Sequence, residues 1–463
     1  MGAMPYSFIV TMVLGITASI LCPLVHAQES LRGRIDPLVR PYLDNKIVAG
    51  MTIGVLHEGR REVAGYGRLS EAENRVPDGD TIYEIGSVSK VFTGVLLADA
   101  VLQGHVKLDQ PAGDLLPPGV TIPSRGDRAI TLQDLSTHVS GLPRLPDNLK
   151  PADPNNPYAD YTVDDLYVFL NRHKLARAPG EQGEYSNLAQ GLLGHLLARQ
   201  QHTTYEQLLR ERIAAPLRMA NTTIALNAEQ QARLAPPHAG DGQLAANWDL
   251  PTLAGAGAIR STADDLLRFA AANLNPPAGE LGQALELAWK VQQKPLAEGE
   301  FAQGLGWQVA RDGSTRWHNG QTGGYHCALF CSRDSRTSVV LLTNTSTEEV
   351  DRLAEDIIRM LAGAKVKPRT FEKSIEVLPA VMQRYAGKFE LAPGAVFTVT
   401  VKDNKLMVGL ADQPTFQVYA RSETEWFYKV VKATLTFHVN DEGKCDSLEL
   451  FQNGVRQKAK RVE

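Results

Sequence analysis

The sequence predicts an α/β chain: an antiparallel sheet flanked by helices and carrying a helical subdomain, followed by a small antiparallel β-barrel. Three observations predict it. Strand-like apolar runs lie at both ends of a helical middle, a basic segment with Pro368 interrupts the pattern, and alternation follows that segment. At roughly 150 residues per domain, 463 residues leave room for two or three domains, and 43% apolar residues suffice for real cores. Lys plus Arg number 48 against 52 Asp plus Glu, a net charge of −4, so no basic face suits nucleic acid.

Residues 1–27 read as a signal peptide. Phe8 to Val25 is apolar and uncharged, and Val25-His26-Ala27 suits cleavage after Ala27. An uncleaved membrane anchor is the alternative; Gly15 and Pro23 weaken a helix there, and no Lys or Arg precedes the run. The reading is a periplasmic or secreted protein with no stable membrane span after cleavage. Loss of Cys22 leaves Cys327, Cys331 and Cys445, an odd number, so at least one thiol stays free. In a strand, Cys327 and Cys331 stand roughly 13 Å apart, too far to bridge, and read as buried small hydrophobes.

Residues 28–362 form the first folded unit. Met51 to Leu56, a turn at Glu58-Gly59 and Arg61 to Tyr66 read as a β-hairpin. A long helix starts at Val88, with Val91, Phe92, Val95, Leu96 and Ala100 in helical period and Gly104 closing it. Val163 to Leu170 and Leu188 to Leu197 are amphipathic, and Ser261 with Asp264 three residues on marks a helix start. Leu305 to Val309, Cys327 to Phe330 and Ser338 to Leu342 read as strands sharing one sheet with the opening hairpin, and Val350 to Leu361 as a helix. Residues 363–375 form a linker. Residues 376–463 form the barrel: Val431, Ala433, Leu435, Phe437 and Val439 alternate with polar residues, and Asp403-Asn404 and Asn453-Gly454 mark turns.

Three segments bear chemistry. Ser87 opens the long helix, and the three-residue spacing puts the Lys90 amine on the same face as the Ser87 hydroxyl. Serine is a weak nucleophile until a neighbour takes its proton, and a helix start supplies N–H groups for a developing oxyanion. Tyr185 and Asn187, two apart, point to one side of an extended segment, so a phenol and an amide reach one cleft together. A phenol beside an ammonium can act as base, and an amide can bind a substrate carbonyl and the lysine. In Trp317 to Tyr325, glycines flank His318, and Gly320 lets a substrate backbone lie close along an edge. No zinc spacing accompanies His318 and His326, and Gly255-Ala256-Gly257 lacks the third glycine of a dinucleotide fingerprint, so neither metal nor cofactor is read.

Ser87-Val88-Ser89-Lys90, Tyr185-Ser186-Asn187 and His318-Asn319-Gly320, in that order, resemble the serine β-lactamase and penicillin-binding protein superfamily, in its class C β-lactamase and D-alanyl-D-alanine carboxypeptidase branch. Leu135 to Pro143 (LSTHVSGLP) and Gly257 to Leu266 (GAIRSTADDL) resemble it too, so the likeness covers about 30–362. It implies a β-lactamase/transpeptidase-like fold, Ser87 as nucleophile, Lys90 and Tyr185 as proton-relay pair, Asn187 as substrate ligand, and the Ser87 and Gln321 amides as oxyanion hole. The substrate implied is a small-molecule β-lactam or a D-amino-acid peptide, with no cofactor. β-Lactam hydrolysis ranks first; carboxypeptidase or D-amino-acid peptidase, carboxylesterase and a non-turnover penicillin-binding sensor are the alternatives. The departure is His318, where class C β-lactamases carry lysine: an imidazole largely neutral at pH 7 replaces a permanent charge. The last segment resembles lipocalin-like barrels that shape the active-site mouth of related peptidases, or serve as stabilising appendages.

Overall fold

The computed structural model describes residues 30–463 except 71, 73, 412 and 430. The expected signal peptide, its cleavage after Ala27 and Cys22 lie outside the described residues. Among the described residues no helix is long and apolar enough to cross a membrane.

Helix α1 (Leu31–Asp44) precedes strand β1 (Gly50–His57), which turns back into β2 (Arg60–Gly67). The turn residues Glu58 and Gly59 have φ of 49° and 81°, the left-handed pair that a two-residue hairpin requires. β3 (Ile82–Glu84) pairs with β4 (Arg260–Thr262) in a separate ribbon. β5 (Ala302–Gln303), β6 (Gln308–Val309), β7 (Thr315–Gln321), β8 (His326–Ser332) and β9 (Thr337–Thr343) join β1 and β2 in one antiparallel sheet, in the order β2-β1-β9-β8-β7-β6-β5. The two ends of the unit therefore meet at Ile53 opposite Leu341.

Period-two alternation gives this sheet two buried faces. Ile53, Val55, Ala328, Val339 and Leu341 pack under α1 and the helix Glu349–Leu361. Cys327, Leu329, Cys331, Val340 and Leu342 face the larger core, where α2 (Ser89–Leu102) runs. Ser89 through Ala100 are all buried, so α2 is enclosed by protein on every side. That enclosure removes Lys90 from solvent.

Two expectations need correction. Leu305 to Val309 is not one strand: Gly306, at φ 70°, breaks it, leaving β5 and β6 on either side. The helix after β4 is capped by Thr262, whose hydroxyl accepts from the Asp265 amide, while Ser261 sits in β4 opposite Tyr83. Both residues are good caps; β4 continues to Thr262, which pairs with Ile82, so the chain leaves the strand one residue beyond Ser261 and Thr262 takes the cap.

Beyond residue 373 eight antiparallel strands, from Gly387–Ala392 to Val455–Arg461, close into a barrel where Phe389 pairs with Arg461. Phe389, Phe397, Leu406, Leu435, Phe437 and Leu448 fill its interior. Tight turns at Asp403-Asn404 (φ 50° and 57°) and Asn453-Gly454 (51° and 79°) set its register. The barrel and its approach segment meet the first unit through Lys429 Nζ on the Asn45 carbonyl (3.5 Å) and Phe371 edge-on to Tyr42. Between the two lies a cleft of about 900 Å³, lined by Tyr419, Phe427 and Lys429 on one side and Ser346 and Gln321 on the other.

Candidate active site

Ser87 lies in a short 3₁₀ turn (Gly86–Val88) that leads into α2. Gly86 takes φ 48°, and a Cβ there would sit 2.7 Å from the Gln321 amide nitrogen. A Cβ on Gly320 would sit 2.1 Å from the Ile85 carbonyl oxygen and 2.7 Å from the Ser87 amide nitrogen. Two glycines thus let the end of β7 lie against the turn, bringing the Ser87 and Gln321 backbones together. The Cys327 thiol, on β8, donates to the same Ile85 carbonyl at 3.0 Å.

Lys90 Nζ donates to Ser87 Oγ at 2.9 Å and to the Ala256 carbonyl at 2.7 Å. Its side chain is 0% exposed, and burial, seconded by the Arg144 charge, pushes its pKa well below the ordinary lysine value. The amine stands 4.8 Å from the centre of the Tyr185 ring. Burial raises the Tyr185 phenol, against the lowering effects of a Ser87 hydrogen bond and of Arg144. The resting pair is therefore a desolvated amine and a protonated phenol, both touching one serine hydroxyl.

Asn187 follows Ser186, the extended N-cap of the helix Asn187–Gln200. Its Nδ2 donates to the Tyr158 hydroxyl at 3.3 Å, while its Oδ1 is buried with no partner among the described residues. Lys90 is thus held by Ser87 and Ala256 rather than by Asn187, and the Asn187 carbonyl oxygen remains as an acceptor. An unmade bond in a buried amide costs roughly 1–3 kcal/mol, which a substrate N–H would recover.

His318 lies 6.2 Å from Tyr185, ring centre to ring centre, and its Nδ1 bonds the Asn319 carbonyl at 2.5 Å. Burial first, then the Lys90 charge, lowers its pKa to about 3. It brings no positive charge to the site at neutral pH. Gln321, exposed at the end of β7, has its Oε1 2.9 Å from His326 Nδ1; His326 Nε2 is 2.7 Å from Asp351, which also accepts from Asn319. The seven sequence-predicted residues thus fall in one region, built from α2, β7 and the segment entering the helix Asn187–Gln200. Among the described residues no cluster of three His, Cys, Asp or Glu could hold a metal ion.

Four neighbours escaped the sequence reading: Ala256, Tyr158, His138 and Arg144. Tyr158 and Ala256 act through a loop hydroxyl and a backbone carbonyl, which carry no sequence signal. His138 lies inside the Leu135 to Pro143 segment and Arg144 directly follows it, and that position is the signal that could have found them. His138 lies 4.5 Å from Tyr185, ring centre to ring centre and tilted by 31°, and accepts from the Ser186 amide, and burial pushes its pKa well below the ordinary value.

Acid stability should register His318. An unfolded histidine titrates near 6.5 and folded His318 near 3, so between those values the unfolded chain binds the extra proton and stability falls as pH falls. The expected share is about 1.4 kcal/mol per pH unit. Urea midpoints of wild type and His318→Gln from pH 6 to 4 check it: the variant should show the shallower slope. Equal slopes would mean His318 is protonated in the fold.

A family model described as Beta-lactamase matches residues 35–364, and a second, described as a domain of unknown function (DUF3471), matches 373–461. A "Beta-lactamase" of Escherichia coli (strain K12) is 29% identical over 306 residues, 64% of this chain and 74% of that protein. The "D-alanyl-D-alanine-carboxypeptidase/endopeptidase AmpH" of the same strain is 34% identical over 220 residues, 48% of this chain and 56% of that one. Among solved structures, a "Beta-lactamase/D-alanine Carboxypeptidase from Yersinia pestis complexed with citrate" superposes with a TM-score of 0.63 at 26% identity, over 72% of this chain and 97% of that one. A class C beta-lactamase gives 0.64 at 22% identity, over 72% and 100%.

Proposed function

The chain belongs to the beta-lactamase family and is a serine hydrolase; from that premise we propose that it opens β-lactam amides through an acyl-enzyme on Ser87. The observation that carries this reading is the 2.9 Å bond between Ser87 Oγ and a fully buried Lys90 amine beneath the Tyr185 ring. Burial lowers the pKa of this amine, so its neutral form, which can take the serine proton, is more accessible than in an ordinary lysine.

In the proposed cycle Lys90 accepts the Ser87 proton as Oγ attacks the amide carbon. The tetrahedral oxyanion lies between the Ser87 and Gln321 amides, a contribution worth roughly 3–4 kcal/mol per donor in comparable sites. The protonated Tyr185 hydroxyl delivers a proton to the departing nitrogen and is recharged from Lys90. Water, deprotonated by the same pair, then releases the acyl group and restores the serine. The unpartnered Asn187 Oδ1 accepts from an N–H on the acyl side.

D-Alanyl-D-alanine carboxypeptidase action is the second reading, favoured by the AmpH relative and by a neutral His318 in place of lysine. A chromogenic cephalosporin, an acyl-D-alanyl-D-alanine peptide and a short-chain nitrophenyl ester distinguish the readings. A burst followed by steady release from the cephalosporin is the expected result. A burst of one equivalent without further release would make the protein an acylated sensor, and turnover of the ester alone would make it an esterase.

A further inference from the structure

Arg144 has a fixed backbone and an uncommitted charge. Its carbonyl accepts from the Asn187 and Leu188 amides (3.0 and 3.2 Å), and the preceding Pro143 carbonyl accepts from Ser186 Oγ (2.6 Å). The residue is thus pinned to the start of the helix that follows Tyr185. Its guanidinium lies 5.2 Å from the centre of the Tyr185 ring and is exposed. Among the described residues no carboxylate lies within ion-pair distance of it. Arg128, Arg172 and Arg177, by contrast, are paired: with Asp134, Asp147 and Glu184.

We propose that Arg144 anchors the carboxylate that flanks the scissile amide nitrogen of the substrate, so that the enzyme selects amides bearing a free carboxylate on the leaving side. The proposal rests on the acyl-enzyme reading above. In penicillins and in acyl-D-alanyl-D-alanine alike, one carbon separates the scissile nitrogen from a carboxylate carbon, a span of about 2.5 Å from standard bond lengths. A nitrogen placed to receive the Tyr185 proton therefore carries its carboxylate to the edge of that ring, within reach of the guanidinium over it. Guanidinium and carboxylate match as a two-point fork, which a solvated lysine does not offer.

The other cations near the ring do not serve. Lys90 is buried and bonded to Ser87, and His318 is neutral. Lys294 lines a crevice with His138 and Tyr185, where Glu184 and Glu300 also stand and offset its charge. Without substrate, Arg144 disfavours positive charge on Lys90 and His138. A substrate carboxylate would offset that field as it docks, so binding and the state of Lys90 are coupled.

The test compares wild type, Arg144→Ala, Arg144→Lys and Lys294→Ala on paired ligands: an acyl-D-alanyl-D-alanine peptide and its C-terminal amide, and a cephalosporin and its methyl ester. Arg144→Ala should raise KM for the free acids roughly ten- to hundredfold and leave KM for the neutral partners unchanged, while any change in kcat through the Lys90 amine is shared by acids and neutral partners alike. Arg144→Lys should recover part of the loss, and Lys294→Ala should show none. Equal losses on acids and neutral partners, or none on either, would overturn the assignment. A pair of acylaminomethyl boronic acids, one with a carboxylate on the leaving side, gives a readout that needs no turnover, because boron adds to the serine directly. Tighter binding of the carboxylated member to wild type but not to Arg144→Ala supports the anchor even where no amide is hydrolysed; equal affinities for both members overturn it. Loss of all boronate binding in Ser87→Ala reports separately on the nucleophile.

Discussion

Ser87→Ala is expected to lower turnover by roughly 10⁴- to 10⁶-fold and to abolish any covalent adduct, while the fold survives. The side chain is only half-buried, and its hydroxyl touches the Tyr185 phenol and Lys90 Nζ, which keeps its second acceptor on Ala256. Removing the hydroxyl therefore costs two hydrogen bonds, about 1–3 kcal/mol, and leaves no cavity in the core. Its chemical cost is far larger, since the amine and phenol have no other nucleophile to serve. Intact-mass measurement after exposure to a slowly released β-lactam checks this: wild type should gain one equivalent of acyl group and the variant none. The variant should unfold at a similar temperature. An adduct on the alanine variant would place the nucleophile elsewhere, with Ser89 and Ser186 the next hydroxyls to examine. Because Lys90 acts only through Ser87, adding Lys90→Met to Ser87→Ala should cost little more, whereas Lys90→Met alone should approach the loss of the serine variant.

What was legible in the sequence was local. Ser87 and Lys90 meet because three residues make almost one helical turn, and that is settled within the segment. The barrel turns at Asp403-Asn404 and Asn453-Gly454 declare their backbone by residue type, since Asn, Asp and Gly tolerate left-handed φ, whereas in the Glu58-Gly59 hairpin only the glycine does so. The barrel strands show themselves by alternation. What escaped was decided between distant segments. Nothing near Arg144 signals that its guanidinium lies over the ring of Tyr185, 41 positions later. Nothing near Ala256 signals that its carbonyl receives Lys90. The broken strand at Gly306 has the same origin: the loop around that glycine lies against the backbone of α2, where a Cβ would sit 2.1 Å from the Lys90 carbonyl oxygen. His326 has no metal-ligand spacing in the sequence; its link to Gln321 arises from pairing across β7 and β8, and its link to Asp351 from the helix Glu349–Leu361 packed on that sheet.

Gly320→Ala should disable the enzyme without touching any functional side chain. Gly320 is buried in β7, and its backbone needs no left-handed φ, so the demand for glycine comes from space alone. A methyl group there would press on the Ile85 carbonyl oxygen at 2.1 Å and on the Ser87 and Val88 amide nitrogens at 2.7 and 3.0 Å. None of these contacts is the movable tip of a side chain. The Ile85 carbonyl already receives the Val88 amide and the Cys327 thiol, so the turn cannot yield without breaking those bonds. The strand must therefore move outward, taking the Gln321 amide away from that of Ser87. Loss of one well-placed oxyanion donor costs about 10²- to 10³-fold in kcat, and overpacking costs about 1–3 kcal/mol of stability. The two consequences separate experimentally. Thermal unfolding reads the strain, and kcat measured well below the transition reads the geometry, with ground-state affinity much less affected than kcat. A variant that loses stability but keeps its kcat would show that the strain relaxes inside the turn and that the Gln321 amide does not hold the oxyanion. A variant that keeps both would show that β7 and the Ser87 turn are not pressed together as their two glycines imply.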